Sequence, residues 1–159
     1  EIYVKEHPAQ EQAHGNEFTP YRYRGFFGSI ADIPKVRLVP TNTNTFELTR
    51  RSKTVATIAG TAAWEAVLRG KPALVFGYPW FMHAPGVFRV SSSEECADAF
   101  KRIDNGFVSD TKVLLNYLAR VEQSSFRGYT SGYGKKIAKL SAEEAISEMH
   151  RALESALTK

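Results

Sequence analysis

Short apolar runs alternate with longer polar stretches along the chain, and these runs predict five β-strands. The runs at residues 55–59 and 73–76 are almost entirely apolar instead of alternating with polar residues. Such runs are expected where helices cover both faces of a parallel sheet. Shorter β-prone runs at residues 2–5, 36–39 and 87–90 predict three further strands.

The polar stretches between these runs carry the signals of helix ends. Asn44 is followed three residues later by Glu47, which is typical of a capped helix start. Gly70 and Pro72 stop the next helix. Residues 9–34 are polar and aromatic-rich, and they predict an irregular connection with at most one short helix. Helices are predicted over residues 45–52, 61–69 and about 110–121. Overlapping capping boxes in the segment Ser91 to Glu95, where Ser92 and Ser93 are interpreted as caps, predict a helix through about residue 103, and the Ser141 to Glu144 cap predicts one to about residue 157.

Strands that alternate with short helices predict the fold class. The expected architecture is α/β, with a doubly wound, mainly parallel sheet of the Rossmann-like type and a mostly helical C-terminal part over residues 106–159. In such sheets the ligand crevice lies at the carboxyl ends of the strands. Those ends carry His7-Pro8, Thr41 to Asn44, Gly60-Thr61 and Gly77-Tyr78.

Composition narrows the class of protein. The chain has 159 residues, of which 43% are hydrophobic, and no apolar run approaches the roughly 20 residues of a membrane span. A soluble protein is expected. The single cysteine, Cys96, excludes an internal disulfide and favours a reducing, cytoplasmic setting. The four histidines have no mutual spacing typical of a metal site, so no metal is predicted.

The formal charge of +4 is scattered, without the long basic stripe of a nucleic-acid-binding protein. A solvated basic surface is the simpler interpretation, and local attraction for an anionic nucleotide or an anionic membrane surface is compatible with it. GxGxxG, P-loop and GxSxG motifs are absent. The usual markers of dinucleotide oxidoreductases, NTPases and α/β-hydrolases are therefore missing.

The turn at Gly60-Thr61 is the first candidate for binding chemistry. A glycine lets the backbone approach a phosphate closely, and a threonine hydroxyl can cap the helix or donate to a phosphate oxygen. Glu65 lies one helical turn later on nearly the same face, where its carboxylate could accept hydrogen bonds from ribose hydroxyls. An ordinary strand-to-helix turn followed by a solvated helix acid explains the same residues. Trp64 and Leu68 are expected in the core.

His7 follows a predicted strand directly, and Pro8 fixes the exit of the chain. An imidazole at this place could hold a donor phosphate or act as a general acid for the leaving group. A structural histidine with satisfied hydrogen bonds is the alternative.

Several motifs in the same order resemble the bacterial capsule polysaccharide biosynthesis glycosyltransferases, over roughly residues 2–100. They are Val4 to Pro8, Val39-Pro40 with Asn44, Thr57 to Ala66, and Gly70 to Gly77. The resemblance implies that residues 1–159 are one nucleotide-sugar-binding domain, the C-terminal half of a two-lobed GT-B enzyme. In the Kdo transferase branch the donor is CMP-Kdo.

The resemblance also implies site residues and partners. His7, Gly60, Thr61 and Glu65 are expected in the donor site with Asn44 and Tyr78, and His7 is the catalytic candidate. Neither a cofactor nor nucleic acid is implied. The acceptor, a glycan or glycolipid, would bind through a lobe preceding residue 1. Peripheral association of the protein with the inner face of the membrane is compatible with such an acceptor. The full-length enzyme is expected to be active, and this part alone inactive.

Two other hypotheses remain open at this point. A sugar-nucleotide epimerase of related two-lobed architecture would convert the donor without an acceptor. A non-enzymatic interaction module would use the bulky segment Tyr78 to Met82 as a docking patch. The second hypothesis requires that segment to stay out of the core.

Overall fold

The computed structural model describes residues 1–7, 24–129 and 132–158. Within these ranges, five strands are β1 (Ile2–Lys5), β2 (Val36–Val39), β3 (Val55–Thr57), β4 (Ala73–Val75) and β5 (Val87–Arg89). The helices are α1 (Phe26–Ala31), α2 (Thr45–Arg51), α3 (Thr61–Val67), α4 (Ser93–Asp104), α5 (Thr111–Gln123), α6 (Gly132–Ala138) and α7 (Ala142–Leu157). All five predicted strands are present.

The strands form two parallel sheets. β1 pairs with β2, with Ile2 opposite Val36. β3, β4 and β5 form the second sheet in that order, with Val55 opposite Ala73 and Ala73 opposite Val87. The α/β class with parallel strands and C-terminal helices is confirmed, with the strands divided between two sheets.

The three-stranded sheet is covered on both faces, as its apolar pattern predicted. Every residue of β4 is fully buried. Ala73 and Val75 pack with Ala63, Ala66 and Val67 of α3, and Leu114 and Tyr117 of α5 pack on the same cluster. Leu74 points to the opposite face, where it packs with Ala99 and Ile103 of α4. Alternate β4 residues therefore join two helical layers through one sheet.

The two-stranded sheet is much more open. Ile2 and Tyr3 are 59% and 54% exposed, and none of the described residues of β1, β2 or α1 is buried. Arg37 of β2 binds the carboxylate of Glu1 at 2.9 Å, and the Tyr3 hydroxyl donates to the same carboxylate. Exposed polar contacts thus join β1 and β2 in addition to the backbone ladder.

Helix ends follow the predicted capping chemistry, and two features of the helices differ from the prediction. The Ser141 hydroxyl and the Glu144 carboxylate form a capping box at the start of α7. However, α3 ends at Val67, and Leu68, which caps its carboxyl end, is 45% exposed and not in the core as expected. Helix α6 was not predicted, because Gly132 and Gly134 disfavour helix. The connection predicted over residues 9–34 contains α1, whereas residues 8–23 lie outside the described part.

In the described part of the chain, none of the helices has both the length and the apolar character needed to cross a bilayer.

Candidate functional site

The carboxyl ends of β3, β4 and β5 lie side by side and form one edge, which we call the carboxyl edge (residues 58–61, 76–78 and 89–92). Backbone hydrogen bonds continue past the strand ends. The Phe76 N–H donates to the Thr57 carbonyl at 3.1 Å, and the Gly77 N–H donates to the Ile58 carbonyl at 2.8 Å. The turns after β3 and β4 are therefore fixed against each other.

Two glycines allow this close packing. A Cβ atom at Gly77 would lie 2.9 Å from the Ile58 carbonyl oxygen, and one at Gly60 would lie 2.9 Å from Thr57 Oγ1. The Gly60 N–H also donates to Thr57 Oγ1 at 3.2 Å. Gly60 was predicted to allow a close approach to a phosphate, and the structure adds an internal reason for a glycine at this position.

Thr61 and Glu65 both lie on α3, which begins at the carboxyl edge. Thr61 is the first helical residue and is exposed, whereas Glu65 is half-buried one turn later. Because residues four apart share a helix face, the hydroxyl and the carboxylate lie on the same side of α3. The helix has only 7 residues. The Ala63 N–H donates to the Gly60 carbonyl at 3.3 Å, whereas the N–H groups of Thr61 and Ala62 precede the first bond of the helix. Because the helix is short, its dipole is weak.

Tyr78 follows β4 and extends from the same edge, where it is 75% exposed. Its hydroxyl accepts a hydrogen bond from Arg89 Nη2 at 2.6 Å, and the Arg89 guanidinium lies 4.3 Å from the centre of the Tyr78 ring. Arg89 was not among the site residues predicted from the sequence. Its position as the one charged residue in the apolar run 87–90 could have identified it.

Asn44 and His7 belong to the other sheet. Asn44 follows β2 and caps α2, because its Oδ1 accepts from the backbone N–H groups of Phe46 and Glu47 at 2.9 and 3.2 Å. This capping was expected, and it leaves the amide NH₂ for other contacts. His7 lies two residues beyond β1 and is exposed, and its backbone N–H donates to the Glu6 carboxylate at 3.0 Å.

The predicted site residues therefore fall into two groups. Gly60, Thr61, Glu65 and Tyr78 lie at or beside one edge of the three-stranded sheet, whereas His7 and Asn44 follow the strands of the two-stranded sheet. Both groups lie at carboxyl ends of parallel strands, which is where α/β folds bind ligands.

A shallow, open depression of about 470 Å³ lies on the α4 side of the carboxyl edge, lined by Phe76, Val90, Ser91, Ser92, Ser93 and Cys96. The backbone N–H and the hydroxyl of Ser91 both donate to the Glu95 carboxylate, at 2.6 and 2.7 Å. These bonds lower the pKa of the Glu95 carboxyl below its ordinary value. Ser92 caps α4, as predicted. The protein's own carboxylate thus already uses these donors.

Two further groups bear on the competing hypotheses. Phe81 is fully buried and Pro79 is buried, so the segment Tyr78 to Met82 does not form a continuous exposed patch. Trp80 remains exposed, but its ring packs on Trp64 of α3, 5.0 Å between centroids. This arrangement disfavours the docking-patch hypothesis. In the described ranges, no three His, Cys, Asp or Glu side chains come together in a group that could hold a metal ion.

Comparison with known proteins identifies the family. The model of the family described as "Capsule polysaccharide biosynthesis protein" matches residues 1–124, which include β1 to β5 and both groups of candidate residues. No curated protein and no solved structure gives a match. The match covers most of the chain, so the chain belongs to the capsule polysaccharide biosynthesis protein family. This membership supports a role in capsule synthesis.

Proposed function

We propose that this member of the capsule polysaccharide biosynthesis family is the donor-binding part of a glycosyltransferase, and that it binds a nucleotide sugar at the carboxyl edge. The family match over residues 1–124 is the observation that supports this most strongly. The geometry agrees with it, because two glycine turns, a hydroxyl and a half-buried carboxylate occupy the edge at which parallel sheets bind nucleotides.

Each candidate residue has a chemical role in this proposal. The backbone at Gly60 and the Thr61 hydroxyl contact a phosphate, and the Glu65 carboxylate accepts hydrogen bonds from the ribose hydroxyls. The Tyr78 ring lies beside the donor on the β4 side. Asn44, whose carbonyl oxygen caps α2, contributes its amide NH₂.

In the transfer step, the bond between the anomeric carbon and the phosphate oxygen breaks while an acceptor hydroxyl oxygen bonds to that carbon. The acceptor proton passes to a separate general base. The electron pair of the broken bond stays on the nucleotide phosphate. His7 stabilises this charge or supplies a proton to it as a general acid. No metal or cofactor is required by this scheme.

The resemblance to the Kdo transferase branch favours CMP-Kdo as the donor and a glycan or glycolipid as the acceptor. A cytoplasmic location at the inner face of the membrane fits such an acceptor. An epimerase would instead convert the donor without any acceptor, and product analysis with and without acceptor distinguishes these two activities.

Calorimetric titration of the natural full-length protein with CMP, CDP and UDP tests the proposal. We expect one of these nucleotides to bind, and we expect Glu65→Ala and His7→Ala each to weaken that binding about tenfold or more, because each removes a hydrogen bond to a charged or polar ligand group. Glu122→Ala is the control, since Glu122 is an exposed helix acid on α5. Unchanged affinity in both site variants contradicts the proposed site.

A further inference from the structure

Arg89 and Tyr78 form a cation–π pair at the carboxyl edge. The guanidinium of Arg89 lies over the Tyr78 ring at 4.3 Å and also donates to the Tyr78 hydroxyl at 2.6 Å. Both side chains are exposed. The cation–π contact and the hydrogen bond together restrict the orientation of the guanidinium, so its remaining N–H donors are held in place before a ligand arrives.

The positive charge of Arg89 is not neutralised by a direct ion pair. Among the described residues, no carboxylate oxygen lies within 4.0 Å of its guanidinium, unlike those of Arg37 and Arg50. The carboxylate of Glu95 feels the charge of Arg89, but its Oε2 accepts hydrogen bonds from Ser91. Arg89 therefore keeps donors that an external anion can use.

The register of the three-stranded sheet places Arg89 on the sheet face that is covered by α3. Val87 packs in the same cluster as α3, whereas Phe88 packs in the cluster on the opposite face. Because side chains alternate along a strand, Arg89 projects to the same face as α3, which carries Thr61 and Glu65. β3 and β5 are two strand spacings apart, about 10 Å, which is comparable with the separation of ribose and sugar in an extended nucleotide sugar.

We propose that Arg89, held by Tyr78, binds an oxyanion of the nucleotide sugar, either a phosphate or a carboxylate on the sugar. This inference rests on the proposed function, because it assigns the second end of the same donor site. A planar guanidinium presents two parallel N–H donors to such a group, which makes it more specific than a lysine. The Tyr78 hydroxyl accepts from Arg89, so its own proton is available for a second oxygen of the ligand.

The test is calorimetric titration of the full-length protein and its variants with cytidine, CMP, uridine, UDP and CMP-Kdo. We expect Arg89→Gln to weaken binding of the charged ligands roughly ten- to a hundredfold and to leave nucleoside binding unchanged. Arg89→Lys keeps the charge but loses the planar fork, so a smaller loss is expected. Circular dichroism checks that each variant is folded.

Arg102→Gln is the matched control. Arg102 is also an exposed arginine stacked on aromatic rings, those of Phe88 and Phe107, but it lies near the end of α4, away from the carboxyl edge. This control should bind every ligand as the wild type does. If Arg89→Gln does not fold, the folded Arg89→Lys variant decides, and wild-type affinity in it overturns the proposal.

The outcomes separate the two proposals. Weaker binding of CMP or UDP assigns Arg89 to the phosphate, and weaker binding of CMP-Kdo alone assigns it to the sugar carboxylate. Both outcomes support the inference. If Arg89→Gln binds all ligands normally while Glu65→Ala does not, the role of Arg89 is wrong and the proposed function stands. If the wild type binds none of the ligands, both are wrong.

Discussion

The two sheets of this protein have the same parallel topology but very different surroundings. β4 is fully buried between helices on both faces, whereas β1 and β2 contain no buried residue. Since burial of apolar surface is the main source of stability, the three-stranded sheet is the rigid part of the described structure. Isolated two-stranded sheets are marginal on their own.

This difference also divides the candidate site. Gly60, Thr61, Glu65 and Arg89 are presented by the rigid sheet, where neighbouring backbone bonds fix the turns. His7 and Asn44 are presented by the open sheet. A catalytic group needs a fixed position, so the nucleotide-binding side of the proposed site is better ordered by its own scaffold than the side that carries His7.

Substituting one leucine in each sheet should give the largest difference in stability between the two sheets. Leu74→Ala removes a fully buried side chain of β4, and we expect it to lower the free energy of unfolding by about 2–5 kcal/mol. Leu38→Ala in β2 removes an exposed side chain and should cost less than about 1 kcal/mol. Equilibrium denaturation with urea measures both. Equal losses would mean that β2 is as well packed as β4.

Replacing a glycine with alanine should destabilise the protein at the carboxyl edge but stabilise it in α1, beside the two-stranded sheet. Gly77→Ala places a Cβ 2.9 Å from the Ile58 carbonyl oxygen, and the resulting strain should destabilise the protein by about 1–3 kcal/mol. Apart from its chain neighbours and its own helix backbone, no described residue has an atom within 4 Å of a Cβ added at Gly28 in α1, so Gly28→Ala should stabilise by about 0.5–1 kcal/mol. Thermal unfolding of the two variants checks the signs. A neutral Gly77→Ala would show that the turn at the carboxyl edge can move.

The smallest expected effect is a pH dependence confined to the open sheet. The hydrogen bond from Arg37, followed by that from Tyr3, lowers the pKa of the Glu1 carboxyl below its ordinary value. Because the carboxyl has a lower pKa in the folded state than in the unfolded state, its ionisation stabilises the folded state at pH values above the ordinary pKa of a glutamate. This stabilisation is lost as the pH falls through the lowered pKa of the folded state. Because the pair is exposed, the effect should be small.

Amide hydrogen exchange in β1 and β2, followed from about pH 7 to about pH 3, measures this effect. Rates corrected for the intrinsic pH dependence should rise as Glu1 is protonated, and Glu1→Gln should remove that rise. β4 serves as the internal control, because its residues are buried and contact no part of the pair. An equal rise in β4 would mean that the two sheets open together.

Much of the fold could be predicted from the sequence because its signals are local. Apolar or β-prone runs of four or five residues located all five strands. Caps at Asn44, within Ser91 to Ser93 and at Ser141 located helix starts to within about one residue. The motifs over residues 2–100 indicated membership of the capsule polysaccharide biosynthesis family, and the match over residues 1–124 confirms that membership. Each of these signals depends on neighbours within one or two turns of chain.

Tertiary structure decided what depends on distant partners. Arg89 and Tyr78 are 11 residues apart, and only the register of β4 and β5 brings their side chains together. The segment that contains Phe81 was a candidate docking patch, but the Phe81 ring packs into the buried cluster beside α3. The division into two sheets likewise depends on which strand edges meet. Sequence patterns encode the backbone's local preferences, whereas contacts across the sheet depend on packing and register.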